Sequence, residues 1–258
     1  MRRSVFLLRP RSLISRVMMA FIAGGAMAMT LVACSTGSSS NDLVFTSERD
    51  SDNPDIYTVA TSGGEVQRLT NTSATEKNPK WSPKRDKIAF LSDRGDDFEL
   101  YIMDAEGESE QVAVGGDGER KDFSCGPDGN RIAYVSDHEG KDFIYVKDLL
   151  LNQQFRLSTI DAPQSLGSWS PDGEWIAFTS SRSGDYEIYA MRADGSDMRQ
   201  LTESAGYDWS SSWSPDGEWI AFSSDRDGDY EIYVMRADGS DVRQLTHNEV
   251  GDSSPAYS

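Results

Sequence analysis

Residues Trp213 to Thr246 read WSPDGEWIAFSSDRDGDYEIYVMRADGSDVRQLT. Three runs have the composition of strands: Glu218 to Ser224, Glu231 to Arg236 and Val242 to Leu245. Their breaks are Pro215-Asp216-Gly217, Asp227-Gly228 and Asp238-Gly239. β-Branched and aromatic residues favour the pleated state, and Asp-Gly pairs supply the positive φ of tight hairpins. With Ser210 to Ser214 ahead of them, the runs predict a four-stranded antiparallel meander.

Nearly the same text stands at Trp169 to Thr202, 44 residues upstream. Weaker copies follow the same offset, at Trp81, Cys125, Trp169, Trp213 and Tyr257, and at Tyr57, Tyr101, Tyr145, Tyr189 and Tyr233. A period of about 40 to 45 residues with four strands per unit is the pattern of a β-propeller blade.

The W-S-P-D-G, I-A-F, E-I-Y and Q-L-T elements resemble the WD-repeat-like blades of the TolB propeller family, a fold that also precedes the hydrolase domain of prolyl-oligopeptidase-type enzymes. The resemblance covers residues 42–258 and fades upstream, where Lys84-Arg85 replaces the Asp-Gly turn and Cys125-Gly126 replaces Trp-Ser. It implies an all-β fold and association with envelope complexes, including the peptidoglycan-associated lipoprotein. The chain has no G-x-S-x-G elbow, so the hydrolase activity is not carried over.

Residues 1–33 carry Arg2, Arg3, Arg9, Arg11 and Arg16, no acid, and an apolar run from Val17 to Ala33. This reads as a secretory signal. Its end, Leu31-Val32-Ala33-Cys34, resembles a bacterial lipobox and would leave Cys34 as the lipid attachment site. Residues 34–41 then form a polar tether. An uncleaved membrane anchor is the other reading, since 17 apolar residues sit at the lower limit for a span. The only other cysteine, Cys125, reads as a buried thiol.

Without the five signal arginines the net charge moves from −18 to −23, with 20 basic against 43 acidic residues. That surface repels nucleic acid and anionic headgroups, so no nucleic-acid partner is expected.

The body of the chain, 42–258, holds close to five repeats of 44 residues. Leu43 to Ser47 matches the second strand of a blade, and Ser254 to Ser258 matches a first strand. The expectation is a five-bladed propeller, closed by pairing of the two chain ends and monomeric. TolB itself has six blades, and an open fragment or an oligomer that completes the ring also fits. Two residues before each Trp position lie Pro79, Phe123, Gly167, Ser211 and Pro255, expected at the channel with Phe123 plugging one end. Trp81, Trp169 and Trp213, with Phe90, Tyr134, Phe178 and Phe222, are expected to fill the space between sheets.

Candidate chemistry is sparse. His138 and His247 lie in separate loops, without a second His or Cys at ligand spacing. An Arg recurs after the second strand, at Arg94, Arg182 and Arg226, with His138 in the series, and reads as a tie between loops and carboxylates. Asp225, Asp227, Asp229 and Glu231 alternate around a Gly turn and form a calcium candidate, the single cofactor considered. A plain acidic hairpin is the alternative, because the fourth repeat has Ser181, Ser183 and Asp185 there.

Two functions follow. The first is a non-catalytic, lipid-tethered extracytoplasmic scaffold that binds an envelope protein or peptidoglycan-associated component through its loop faces. The second is a glycan-directed or metal-assisted hydrolase using the acidic loops, which requires two carboxylates about 5 to 10 Å apart in one cleft.

Overall fold

A computed structural model describes residues 42–160, 162 and 164–257. Cys34, the signal and the tether lie outside the described residues. The described chain contains nineteen strands and no helix.

Blade one comprises β1 (Asp42–Ser47), β2 (Asp55–Ala60) and β3 (Gln67–Arg68). Blade two is β4 (Glu76–Trp81), β5 (Lys87–Ser92), β6 (Glu99–Asp104) and β7 (Gln111–Val114). Blade three is β8 (Arg120–Cys125), β9 (Arg131–Ser136), β10 (Phe143–Asp148) and β11 (Gln153–Arg156). Blade four is β12 (Gln164–Trp169), β13 (Trp175–Ser180), β14 (Glu187–Arg192) and β15 (Arg199–Gln200). Blade five is β16 (Asp208–Trp213), β17 (Trp219–Ser224), β18 (Glu231–Arg236) and β19 (Arg243–Gln244). Each is an antiparallel meander in sequence order, with three strands in blade one and four in the others.

First strands of successive blades touch, β4 with β8, β8 with β12 and β12 with β16, which sets them at the centre. The cores lie between sheets. Trp213, Ile220, Phe222 and Met235 of blade five pack on Ile188 and Leu201 of blade four, and Phe90, Tyr134, Phe178 and Phe222 are fully buried as the repeat predicts. Each of the four pairs with a third-strand tyrosine in register, as Phe222 does with Tyr233 at 5.8 Å between ring centroids. Stacked aromatic neighbours contribute about 0.5 to 1.5 kcal/mol beyond their buried area.

Phe123 departs from its expected channel position. It is fully buried and packs with Leu91, Leu100 and Tyr134. The first-strand bulge falls between Arg120 and Asp122 in β8, but between Lys77 and Lys80 in β4 and between Trp209 and Ser212 in β16. An earlier bulge turns the following side chain to the other face of the pleat.

The C-terminal segment runs along blade five as a further first strand would. Asp252 N donates to Tyr230 O at 2.5 Å, repeating Asp208 N to Tyr186 O at 2.8 Å. Tyr257 N donates to Ser212 Oγ at 3.4 Å, repeating Trp213 N to Ser168 Oγ at 2.8 Å. Ser254 has φ 60°, close to the 55° of Ser210. Among the described residues the strand pairings join β1 to β2 and assign this segment to no ladder. Ser254 N donates to Ser223 Oγ of blade five, at 3.0 Å.

Candidate functional site

Three of the four calcium candidates turn to different elements, and the fourth, Asp229, has a buried Oδ2 without a hydrogen-bond partner. Asp225 Oδ1 accepts from Tyr207 N at 2.5 Å and Asp227 Oδ2 from Gln244 Nε2 at 2.6 Å. Glu231 is buried and accepts from Thr246 Oγ1 and, at 2.7 Å, from Asn248 N. Among the described residues no three His, Cys, Asp or Glu side chains form a metal-sized group. Residues two apart share a face only along an extended strand, and 225–230 lie in the turn between β17 and β18, so sequence spacing does not gather these carboxylates.

Loop arginines stack on the aromatic pair of their own blade and reach first-strand carboxylates. Arg226 lies 4.6 Å from the Tyr233 ring, and its Nη2 donates to both Asp208 oxygens at 3.1 Å. Arg94 does the same for Glu76, with Nη2 to Oε1 at 2.9 Å. Arg182 meets Gln164 in place of an acid, at 3.4 Å. His138 packs on the Tyr145 ring at 4.8 Å. Burial pushes the half-buried Cys125 thiol up to about 11, away from thiolate chemistry.

One polar motif recurs at the seams between blades. The hydroxyls of Thr70, Ser158, Thr202 and Thr246 accept from the backbone N–H of Ile56, Ile144, Ile188 and Ile232 at 2.8 to 2.9 Å. Thr70 Oγ1 bridges Asp55 of blade one, at 3.2 Å, to Glu76 of blade two, at 3.3 Å. Thr202 Oγ1 donates to Glu187 Oε2 at 2.6 Å, and Glu187 meets Asp208 across the seam between blades four and five. The seam between blades two and three instead holds Arg120, whose guanidinium donates to the carbonyls of Gly115, Gly116, Asp117 and Gly118.

These seams open at the end of the propeller that carries the first-strand starts and the loops between second and third strands. Positions 77, 121, 165 and 209, spaced by 44, hold Lys, Lys, Ser and Trp. Lys77 Nζ sits 3.3 Å from the Phe98 ring centroid, and Lys121 Nζ bonds Asp142 at 2.6 Å and Asp137 at 3.1 Å. On blades four and five, Trp209 stacks on Tyr186 at 4.2 Å, and Tyr207 meets Tyr186 edge-on at 5.9 Å. Tyr207 is 45 % exposed.

The cluster of Tyr186, Tyr207 and Trp209 was not singled out from the sequence, although a signal exists. Blades four and five are nearly identical from the Trp position to the end of the repeat, yet their first strands read QSLGSW and DWSSSW. The second strands WIAFTS and WIAFSS differ at one residue. Divergence is concentrated at the centre of this one end.

Sheet order, repeat and packing define an all-β propeller of the TolB type. The chain belongs to the TolB beta propeller domain family, whose model matches residues 96–258, more than half of its length. It is similar to TolB from Acinetobacter baumannii at 22 % identity and TM-score 0.70, over 83 % of this chain and 55 % of that one. A putative TolB from Agrobacterium tumefaciens matches at 24 % and 0.69, over 80 % of this chain and 76 % of that one. An oligogalacturonate lyase solved with manganese matches at 17 % and 0.66, over 80 % and 62 %. The chain therefore spans little more than half of the Acinetobacter protein, and its likeness extends to propellers of enzymes.

Proposed function

We propose that the chain is a non-catalytic, extracytoplasmic lipoprotein scaffold that binds an envelope protein through the first-strand end of its propeller. The observation that carries this reading is the contrast between strands. In blades two to five, second strands keep Ile-Ala-Phe or Ile-Ala-Tyr at their second to fourth positions and third strands keep Tyr at their third, whereas first strands read EKNPKW, RKDFSC, QSLGSW and DWSSSW. A scaffold repeats where it must pack and varies where it must recognise. The aromatic group at Trp209 has the composition of an interface anchor, since Trp and Tyr bury large areas at low entropic cost. The lipobox ending at Cys34 supports export and tethering.

The test is capture from envelope extract by the full chain, by Trp209→Ser, which copies Ser165 of blade four, and by Leu150→Ser at the opposite end. Leu150 is 73 % exposed and serves as the control. A partner retained by the native chain and Leu150→Ser but lost by Trp209→Ser supports the reading. Equal retention by all three removes it.

A further inference from the structure

Two of the seams can be compared by counting charges. Between blades one and two, buried Asp55 and Glu76 face two guanidiniums, Arg68 on Asp55 and Arg94 on Glu76, and Arg94 also pairs with Glu110, which unlike them is partly exposed. Between blades four and five, buried Glu187 and Asp208 face one, Arg226 on Asp208. The position of Arg68 is taken there by Gln200, in the same register opposite Tyr189 as Arg68 is opposite Tyr57. Gln200 Nε2 turns to Thr202 O at 2.9 Å. Arg182, the loop arginine of blade four, is engaged with Gln164 and Met198.

Two buried carboxylates with one cation are short of one positive charge. An isolated buried carboxylate takes up a proton rather than remain ionised. We infer that the seam between blades four and five holds a proton on Glu187, and that losing it alters the aromatic surface built on the same two strands. Tyr186 immediately precedes Glu187, and Tyr207 and Trp209 flank Asp208. The Tyr186–Trp209 stack therefore spans the same seam, one residue along the chain from each acid.

The groups facing Glu187 are few. Its own blade supplies Thr202 Oγ1 at 2.6 Å and, through the linker, Ser204 N at 2.9 Å. Blade five supplies Asp208, with Arg226 behind it. Burial raises the Glu187 carboxyl above its ordinary value, the bonds from Ser204 and Thr202 pull it down, and Asp208 raises it again, with the net shift upward. Asp55 shifts the other way: burial raises it, but bonds from Ser51, Arg68, Thr72 and Thr70 outweigh that. Bonds from Ser51 and Arg68, which have no counterpart at Glu187, and the facing Asp208 separate the two.

The inference concerns regulation of the surface assigned above and rests on that reading, but its readout needs no partner. The full chain is titrated from about pH 4 to 9, following glutamate side-chain carboxyls by ¹³C NMR and Trp209 emission as the difference from Trp209→Phe. The expected result is one glutamate titrating above the ordinary range, with a Trp209 emission change at the same midpoint. Both steps vanish in Glu187→Gln. Gln200→Arg, which restores the blade-one arrangement, moves both down towards the ordinary glutamate value. The inference is overturned if no glutamate titrates high, if the emission step survives in Glu187→Gln, or if Gln200→Arg leaves the midpoint in place. Loss of partner capture with these titrations intact would count against the binding reading alone.

Discussion

Arg226→Met separates a buried ion pair from an exposed one within a single repeat. Asp208 has no solvent exposure and Arg226 only 24 %, and both carboxylate oxygens receive the guanidinium at 3.1 Å. Removing one partner of a buried pair costs about 3 to 5 kcal/mol, because the remaining charge is left without compensation. Methionine keeps contact with the Phe222 and Tyr233 rings, so the loss reports charge rather than packing. At the other end of the blade Arg236 bonds Glu218 at 3.0 Å with exposures of 43 % and 63 %, and it also stacks on an aromatic ring, Trp219, at 4.1 Å. Arg236→Met should cost at most about 1 kcal/mol. Urea unfolding should therefore place Arg226→Met at least about 2 kcal/mol below Arg236→Met, a gap of several degrees in Tm for a chain this size. Adding Asp208→Asn to Arg226→Met should recover part of the loss. Equal costs for the two single variants, or no recovery in the double, would refute the reasoning.

Thr202→Val removes the acceptor of Ile188 N–H and a donor to Glu187, and should cost about 1 to 3 kcal/mol in urea unfolding. Gly217 has φ 73°, and a Cβ there would lie 3.3 Å from Pro171 Cγ, so Gly217→Ala should lower stability by about 1 to 2 kcal/mol. Asp55 is held below its ordinary value, so its contribution is present above the ordinary aspartate pKa and is lost as pH falls through the lowered one. The acid limb of a stability-against-pH curve should flatten in Asp55→Asn. Glu187 has the opposite sign: stability falls as pH rises from the ordinary glutamate value to the raised one, and Glu187→Gln should remove that slope.

The repeat made most of the fold legible. The expected strand Glu231 to Arg236 is β18 residue for residue, and Glu218 to Ser224 is β17 with one residue more. The aromatic series fell in the core because a 44-residue register fixes which face each residue takes. Phe123 escaped because a bulge moved by one residue has no compositional signature. The loop arginines were legible as ties to carboxylates, but their partners were not. Asp208 and Glu187 lie in columns of the repeat that each look like surface acids when read alone, and only the docking of one sheet on the next brings the columns together. Trp209 needed a different comparison, between two copies where they differ rather than where they agree.

The seam chemistry bears on how this chain avoids folding into the wrong order. Blades four and five are so alike that, by packing alone, either sheet would fit in the place of the other. Their first strands, however, present different keys: Gln164 donates to Asp142 O at 2.8 Å, whereas Asp208 requires Arg226 and Glu187. A sheet docked one place out would set Asp208 beside Phe143, or Gln164 beside Glu99, and leave buried polar groups unmatched. Repeat proteins are prone to such misassembly, and unlike buried contacts at successive interfaces are one means of opposing it. Near-identical strands can thus be duplicated freely, provided the residues at each junction drift apart soon afterwards.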